Sequence, residues 1–410
     1  MSNDVSPVPI VCPAVHYPDI TPCDPSELEP IIQRLSDPVS VTQAEAFPRG
    51  TLLPDGRLDL CKQSVGPAGA AWIADAACRT PHVRSLLLGT GGIGDPGARA
   101  LADAIIRNER SDAANLDVLY LGCNGITADG VNSLCDAMDR RVKTDARDAD
   151  HPSPVHPSFS HGGIRGLWLK RNPIGDAGVV RIAQSIGRGI GIETLDLFNV
   201  GMTREGLNAL RDVMVDPARR SHLQHLYLGG NGLTGDDALP MAEIIRGARD
   251  GQPPRPTLQS LHLSVGRLGD RGAVRLADVL DGGKSSLTSL SIASNGLGDV
   301  GMTALFDAVT APSPLRRLDL GYAPSTRVLG ASPNRVTAAS AGSLSRCIKS
   351  SSLDYFNLMR TGAVAMISII RPVLNRRGRP MDLRIETLPL RHSKPIIPPH
   401  VRAIQSVYRK

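Results

Sequence analysis

Residues 116–126 (LDVLYLGCNGI) and residues 223–233 (LQHLYLGGNGL) are near-copies of one another, and they define the unit from which this chain is built. Around the triplet LYL the leucines alternate with other residues, which is the period of a short β-strand with its leucines on one side. The pattern LxL, with any residue in the middle, recurs along the chain. It ends on an apolar residue in every copy: Leu60, Leu88, Leu121, Leu169, Leu197, Leu228, Leu263 and Ile292.

A helix is predicted after each strand. Apolar residues follow the triplet five, thirteen and seventeen positions later, as at Ile126, Leu134 and Met138, and steps of four place side chains on one helix face. An aspartate that follows a turn glycine is expected to cap the helix N-terminus, as at Asp95, Asp176, Asp270 and Asp299. Glycine occupies the ninth position in most copies, and Asp237 is the exception: Gly69, Gly97, Gly130, Gly178, Gly206, Gly272 and Gly301.

One strand and one helix cannot bury their own apolar face, so such units must stack. The pattern resembles the ribonuclease-inhibitor-like subfamily of leucine-rich repeats, LxxLxLxxNxIxxxGxxxLAxxL. The resemblance implies an α/β solenoid, a horseshoe arc of about ten repeats with a parallel β-sheet on the concave side and helices on the convex side. Asparagine occupies the Asn column only at Asn124, Asn172, Asn231 and Asn295, so a continuous asparagine ladder is not expected.

Three regions are predicted from where the repeat begins and ends. Residues 1–57 form an N-terminal tail and cap, in which residues 25–35 are expected to be helical after Asp24. Residues 58–374 form the solenoid, and residues 375–410 form a basic C-terminal cap or tail. Breaks in the repeat predict loops at residues 140–163, 250–256 and 322–336, because insertions in a solenoid become loops.

Composition narrows the class of protein. Aromatic residues make up only 3%, so the core must be aliphatic, and no apolar stretch is long enough to span a bilayer. The N-terminus lacks a basic region before its short apolar stretch, and the seven cysteines contain no CxxC pair. We therefore expect a cytoplasmic protein. The net charge of +6 arises from Arg371 onward, where the chain has ten Lys and Arg residues and only two acidic residues, Asp382 and Glu386.

The expected function is protein binding on the concave face. Residues that alternate with the strand leucines face that side, and they include tyrosine, tryptophan and arginine, the types that anchor interfaces. Aromatic residues also simply suit β-strands, which is the competing explanation. The predicted partner-binding residues are Tyr120, Trp168, Lys170, Arg171, Asp196, Phe198, Tyr227, His262 and Asp319.

The sequence favours a protein-interaction scaffold over an enzyme, with no cofactor, no small-molecule substrate and no metal. No phosphate loop, HExxH or GxSxG motif occurs, and His151, His156 and His161 are interpreted as loop residues. A GTPase-activating protein is the alternative, because this repeat class is also similar to Ran-type activators, although those carry acidic tails. A ribonuclease inhibitor, or nucleic-acid or anionic-membrane binding through the basic tail, is less favoured.

Overall fold

The strand–helix repeat of the sequence is present in the computed structural model, which describes residue 12 and residues 20–108, 116–148, 163–219, 221–249, 257–280, 285–310, 313–386, 388–389 and 397–408. The chain folds into two units. The N-terminal unit comprises residues 15–213, 217–223 and 396–410. The C-terminal unit comprises residues 1–14, 214–216 and 224–395. The last residues of the chain therefore belong to the N-terminal unit.

The N-terminal unit carries the first seven strands in chain order. They are β1 (Glu45–Ala46), β2 (Thr51–Leu52), β3 (Arg57–Asp59), β4 (Ser85–Leu87), β5 (Val118–Tyr120), β6 (Gly166–Trp168) and β7 (Thr194–Asp196). Strands β1, β2 and β3 pair antiparallel, and β3 to β7 pair parallel. The helices are α1 (Glu29–Ser36), α2 (Gly66–Ala77), α3 (Gly94–Arg107), α4 (Ala128–Asp148), α5 (Gly175–Gly187) and α6 (Arg204–Val215).

The C-terminal unit repeats the same plan. Its strands are β8 (His225–Tyr227), β9 (Ser260–His262), β10 (Ser289–Ser291), β11 (Arg317–Asp319), β12 (Tyr355–Asn357), β13 (Asp382–Ile385) and β14 (Leu388–Pro389). Strands β8 to β13 pair parallel and β14 pairs antiparallel with β13. The helices are α7 (Ala238–Arg246), α8 (Gly269–Leu280), α9 (Asp299–Thr310), α10 (Ala341–Ser350) and α11 (Ile367–Asn375).

The apolar residue that ends each predicted triplet is buried in every copy, from Leu60 to Ile292. The middle residue of each strand is buried as well, for example Leu119 in β5 and Leu290 in β10. The α/β leucine-rich-repeat fold predicted from the sequence is therefore confirmed. Within each unit the stacked repeats share an apolar layer between strands and helices, and burial of that layer is the main source of stability.

Buried asparagines join neighbouring repeats. The Asn124 Nδ2 atom donates to the carbonyls of Leu88 and Leu121, both at 2.9 Å, and Asn172 repeats the arrangement one repeat later. In the C-terminal unit Asn295 Nδ2 likewise donates to Leu263 O at 2.9 Å. Each amide thus satisfies backbone carbonyls that would otherwise be buried without a partner.

The segment 322–336 contains an asparagine, Asn334, that takes part in the asparagine ladder, although the sequence pattern does not reveal it. Asn334 Nδ2 donates to the carbonyls of Ile292 and Leu320, both at 2.9 Å, and its Oδ1 accepts from Asn295 N at 2.9 Å. The predicted loop at 322–336 is present, but its end returns to the core to fill the Asn column. The spacing of the repeat does not identify Asn334, because this asparagine follows its strand by many more residues than the asparagines of the other repeats do.

The turn aspartates cap a different helix from the one that they begin. Asp95, near the start of α3, accepts from Thr127 N at 2.7 Å and Gly130 N at 3.1 Å, which belong to the following repeat. At the second position of its own helix the side chain cannot reach that helix's first free N–H groups, so it turns to the neighbour. Asp176, Asp270 and Asp299 do the same for later repeats.

The same contact accounts for the glycine column. A Cβ atom on Gly130 would lie 2.5 Å from Asp95 Oδ1, closer than real Cβ atoms come, and would make a tight contact of 3.1 Å with Ala98 Cβ. A Cβ atom on Gly206 would likewise come into close contact with Asp176 and Val179. The glycine therefore permits helix-to-helix approach between repeats.

In two other regions the structure agrees only in part with what the sequence predicts. Helix α4 runs to Asp148, so residues 140–148 of the predicted loop 140–163 are helical, consistent with their content of arginine, lysine and alanine. Residues 149–162, with His151, His156 and His161, and residues 250–256 lie outside the described residues. The predicted N-terminal helix is confirmed as a capped 3-10 turn at Pro25–Glu27 followed by α1.

Candidate partner-binding face

The first and third residues of each three-residue strand alternate with the buried leucine and point away from the helices. We call the surface formed by these residues, and by the residues that follow each strand, the inner face. In β5, for example, Leu119 lies in the core, whereas Val118 and Tyr120 lie on the inner face. All nine predicted partner-binding residues lie on this face, in one unit or the other.

Tyr120 and Trp168 form an aromatic pair on the inner face of the N-terminal unit. They occupy matching positions of β5 and β6, with ring centroids 6.5 Å apart and planes tilted by 48°. Lys170 places its Nζ atom 5.4 Å from the centre of the Tyr120 ring, within the range of a cation–π contact. The two rings are nevertheless only 6% and 4% exposed.

The other predicted residues of the N-terminal unit lie close to this pair in sequence. Asp196 ends β7 and is buried, and its Oδ1 accepts a hydrogen bond from Phe198 N at 2.9 Å. Phe198 and Arg171 are half-buried, and Arg171 has a left-handed backbone with φ of 56°. Asp196 therefore shapes the turn after its strand as well as facing the inner side.

The inner face of the N-terminal unit is covered by residues 397–408, which we call the C-terminal segment. It contains the one-turn helix α12 (Pro399–Arg402). His400 lies nearly parallel to Trp168, with centroids 6.5 Å apart. Val407 N donates to Asp59 Oδ2 at 2.6 Å, and the Ser406 hydroxyl donates to Asp59 Oδ1 at 3.1 Å. This cover explains the low exposure of an aromatic pair that does not belong to the core.

Tyr227 and His262 form the corresponding pair in the C-terminal unit. Their rings are stacked, with centroids 4.1 Å apart and planes 5° apart, and both residues are half-buried. Burial, together with the charges of His225 and Arg317, lowers the pKa of His262 to about 3. The ring is therefore neutral at physiological pH, and Ser260 Oγ lies 2.9 Å from its Nε2.

Asp319 lies beside a tyrosine that is held between two arginines. Burial raises the pKa of Asp319, and its Oδ1 accepts from Asn357 Nδ2 at 2.8 Å. The guanidinium carbons of Arg317 and Arg384 lie 4.2 and 5.1 Å from the Tyr355 ring centre. Burial and the Asp319 carboxylate raise the pKa of Tyr355, so its hydroxyl stays protonated.

Tyr355 and Arg384 are absent from the residues predicted from sequence, and a signal for both existed. Tyr355 aligns with Arg317 at the first strand position, and Arg384 continues the central row after Asn357. Extending the alignment through β12 and β13 identifies them. The covering contacts of His400, Ser406 and Val407 carry no such signal, because they join residues far apart in sequence.

Part of the basic C-terminal region is structural. Arg377 is buried, and its guanidinium donates to the carbonyls of Ile348, Ser351 and Leu353 around the end of α10. Arg384 forms an ion pair with Asp382 at 3.1 Å. These arginines therefore bind groups of the last repeats of the C-terminal unit.

The described ranges contain no helix with both the length and the apolar character that a membrane crossing requires. Within the same ranges, no three His, Cys, Asp or Glu side chains converge in a way that would hold a metal ion. The buried thiols are poorly reactive: burial raises the pKa of Cys61 and Cys347 to about 12 and that of Cys135 to about 11.

Comparison with known proteins agrees with this geometry. Residues 113–135, 221–242, 256–277 and 283–306 match the family described as Leucine Rich repeat. The chain is 32% identical to a ribonuclease inhibitor of Sus scrofa over 154 residues, which is 36% of this chain and 31% of that protein. The match thus spans less than a third of that relative.

A solved structure of an internalin from Listeria monocytogenes is similar over 93% of each chain, with 15% sequence identity and a TM-score of 0.40. The assignment does not depend on that similarity. It rests on the recurring columns, the parallel strands with their buried leucines, and the matched repeat segments. The chain is a leucine-rich-repeat protein with repeats of the ribonuclease-inhibitor-like type.

Proposed function

We propose that this protein is an interaction scaffold that binds a protein partner on its inner face. Leucine-rich repeats are in general protein-interaction modules, and the inner face is the specific surface that we propose. The proposed contact residues include the nine predicted from the sequence: Tyr120, Trp168, Lys170, Arg171, Asp196, Phe198, Tyr227, His262 and Asp319. Three further residues of the C-terminal unit are added to them: Arg317, Tyr355 and Arg384.

One observation carries the proposal. In the C-terminal unit, Tyr355 is held between Arg317 and Arg384, and all three residues are only half-buried. Pre-ordered tyrosine and arginine side chains lose little conformational entropy on binding and dominate the energy of many interfaces.

The partner expected from this chemistry carries carboxylate and apolar groups on one surface. Carboxylates would bind Arg317 and Arg384, and apolar side chains would pack on Tyr355 and on the Tyr227–His262 stack. A cationic ribonuclease suits these arginines poorly, which argues against ribonuclease inhibition despite the relative's name. We also propose a cytoplasmic location, supported by the buried thiols Cys61, Cys135 and Cys347.

Affinity capture with the full chain tests the proposal. The double variant Tyr227→Ala with Tyr355→Ala should reduce the recovered partner at least about tenfold, because each truncation removes an anchor. Trp72→Ala is the matched control: Trp72 is 50% exposed on α2, on the helix side, and its loss should leave recovery unchanged. Equal recovery with the double variant and the native chain would refute inner-face binding.

A further inference from the structure

The C-terminal segment makes specific contacts with three strands of the N-terminal unit, β2, β3 and β6. Its far end reaches β2, where the Tyr408 hydroxyl lies 2.8 Å from Thr51 Oγ1. The Arg57 guanidinium of β3 donates to the Gln405 carbonyl, and the same strand supplies Asp59 to Ser406 and Val407. At its near end, His400 lies over Trp168 of β6.

The residues beneath this segment would otherwise be open to a partner. Asp59 and Leu87 have no exposed surface, although both are third residues of their strands and point away from the helices. Tyr120 and Trp168 continue the same row and are almost as deeply buried. Ile404 of the segment is itself buried, so its side chain contributes apolar surface to the contact.

The packing of the segment is looser than that of the repeat core. An open cleft of about 290 Å³ lies beside it, lined by charged residues that include Arg57, Arg84, Asp117 and Arg402. Val407 is 50% exposed, and the Gln405 side chain is exposed. The contact depends on a few polar bonds and one buried isoleucine rather than on the continuous close packing of a protein interior.

We propose that the inner face of the N-terminal unit is a peptide-binding groove and that the C-terminal segment is its resident ligand, which a partner must displace. The inference deepens the proposed function and rests on it for the identity of the site. The contacts define the partner's chemistry: a short stretch of protein with one helical turn, an N–H and a hydroxyl donor for Asp59, a ring for Trp168 and an aliphatic side chain in the place of Ile404.

Covalent linkage makes the segment an effective competitor. A tethered ligand experiences a local concentration on the order of millimolar, so even a weak contact keeps the groove occupied. A partner in solution then binds with an affinity reduced by the fraction of chains in which the groove is open. Weakening the segment's own contacts should therefore raise the affinity of a competing peptide.

The probe is a fluorescent synthetic peptide of residues 397–408, titrated into the full-length chain and followed by anisotropy. Ile404→Asp in the protein should weaken the tethered segment, so the peptide should bind this variant at least about tenfold more tightly than the native chain. A peptide carrying Ile404→Asp should not bind. A peptide carrying Gln405→Ala should bind normally, because only the backbone carbonyl of Gln405 makes the contact.

Alkylation of Cys61 gives a second measurement in the same proteins. Cys61 is buried beside Asp59, and Ser406 contributes a hydrogen bond to its thiol. Its modification rate, followed by mass spectrometry, should rise at least about tenfold in the Ile404→Asp chain as the groove opens more often. Cys347, buried in the C-terminal unit, should stay unreactive in both proteins.

A negative result in either the peptide titration or the Cys61 alkylation overturns the inference. A peptide that binds neither protein, or a Cys61 rate unchanged by Ile404→Asp, would mean that the segment is a permanent part of the fold. A dimer that exchanges segments between two copies would overturn the single-chain arrangement, and light scattering detects it. Partner capture on the C-terminal unit is measured separately, so peptide binding without partner capture would refute the proposed function alone.

Discussion

Single residues carry both the contacts between repeats and the binding chemistry. The turn aspartates and the column glycines are one device, because Gly130 leaves the space that Asp95 occupies. Hydrogen bonds outweigh the effect of burial on Asp299 and lower its pKa, so the ionised carboxylate favours the folded chain. The sequence predicted a capping role for these aspartates but not the helix that each one caps, because that helix belongs to the next repeat.

The glycine column yields a stability prediction. Gly130→Ala should lower the free energy of unfolding by about 2 kcal/mol, because the added methyl group collides with Asp95 and Ala98. Chemical denaturation measures it. Gly378→Ala is the control, since a Cβ there meets nothing within 4 Å, and it should change stability by less than about 0.5 kcal/mol. Similar losses in both variants would show that packing at Gly130 is not the cause.

At the level of elements, the alternation of leucines and the four-residue steps predicted the strands, the helices and the buried layer. The end of α4 was not predicted, because a run of good helix formers after Asp139 outweighs the break in the repeat. The insertion at 322–336 was predicted as a loop, yet its asparagine completes a repeat. A single sequence does not distinguish a loop whose last residues pack in the core from a loop that is exposed throughout.

Asn334 should therefore behave as a core residue. Asn334→Ala removes two donors to Ile292 and Leu320 and an acceptor for Asn295, and leaves those backbone groups buried without partners. We expect a loss of about 3 kcal/mol in the free energy of unfolding. Ser332→Ala, on an exposed residue of the same segment, should cost less than about 0.5 kcal/mol. If Asn334→Ala leaves the free energy of unfolding unchanged, the asparagine ladder does not continue through this segment.

For the whole molecule, the repeat architecture was predictable and the state of the inner face was not. Periodicity places Tyr120, Trp168, Tyr227 and His262 on that face, and the structure agrees. It cannot reveal that the chain's own last residues cover the first pair while the second remains half-buried. Such cover depends on contacts between residues more than 200 positions apart, as between His400 and Trp168, which no local pattern encodes.

The most direct test of inner-face binding is site-specific photo-crosslinking in the full chain. Tyr227→p-benzoylphenylalanine places the crosslinker on the inner face, and Val300→p-benzoylphenylalanine places it on α9, where Val300 is largely exposed. Irradiation with the source extract should yield a discrete crosslinked protein from position 227 and none from position 300. Crosslinking from position 300 alone would place the partner on the helices and contradict the account.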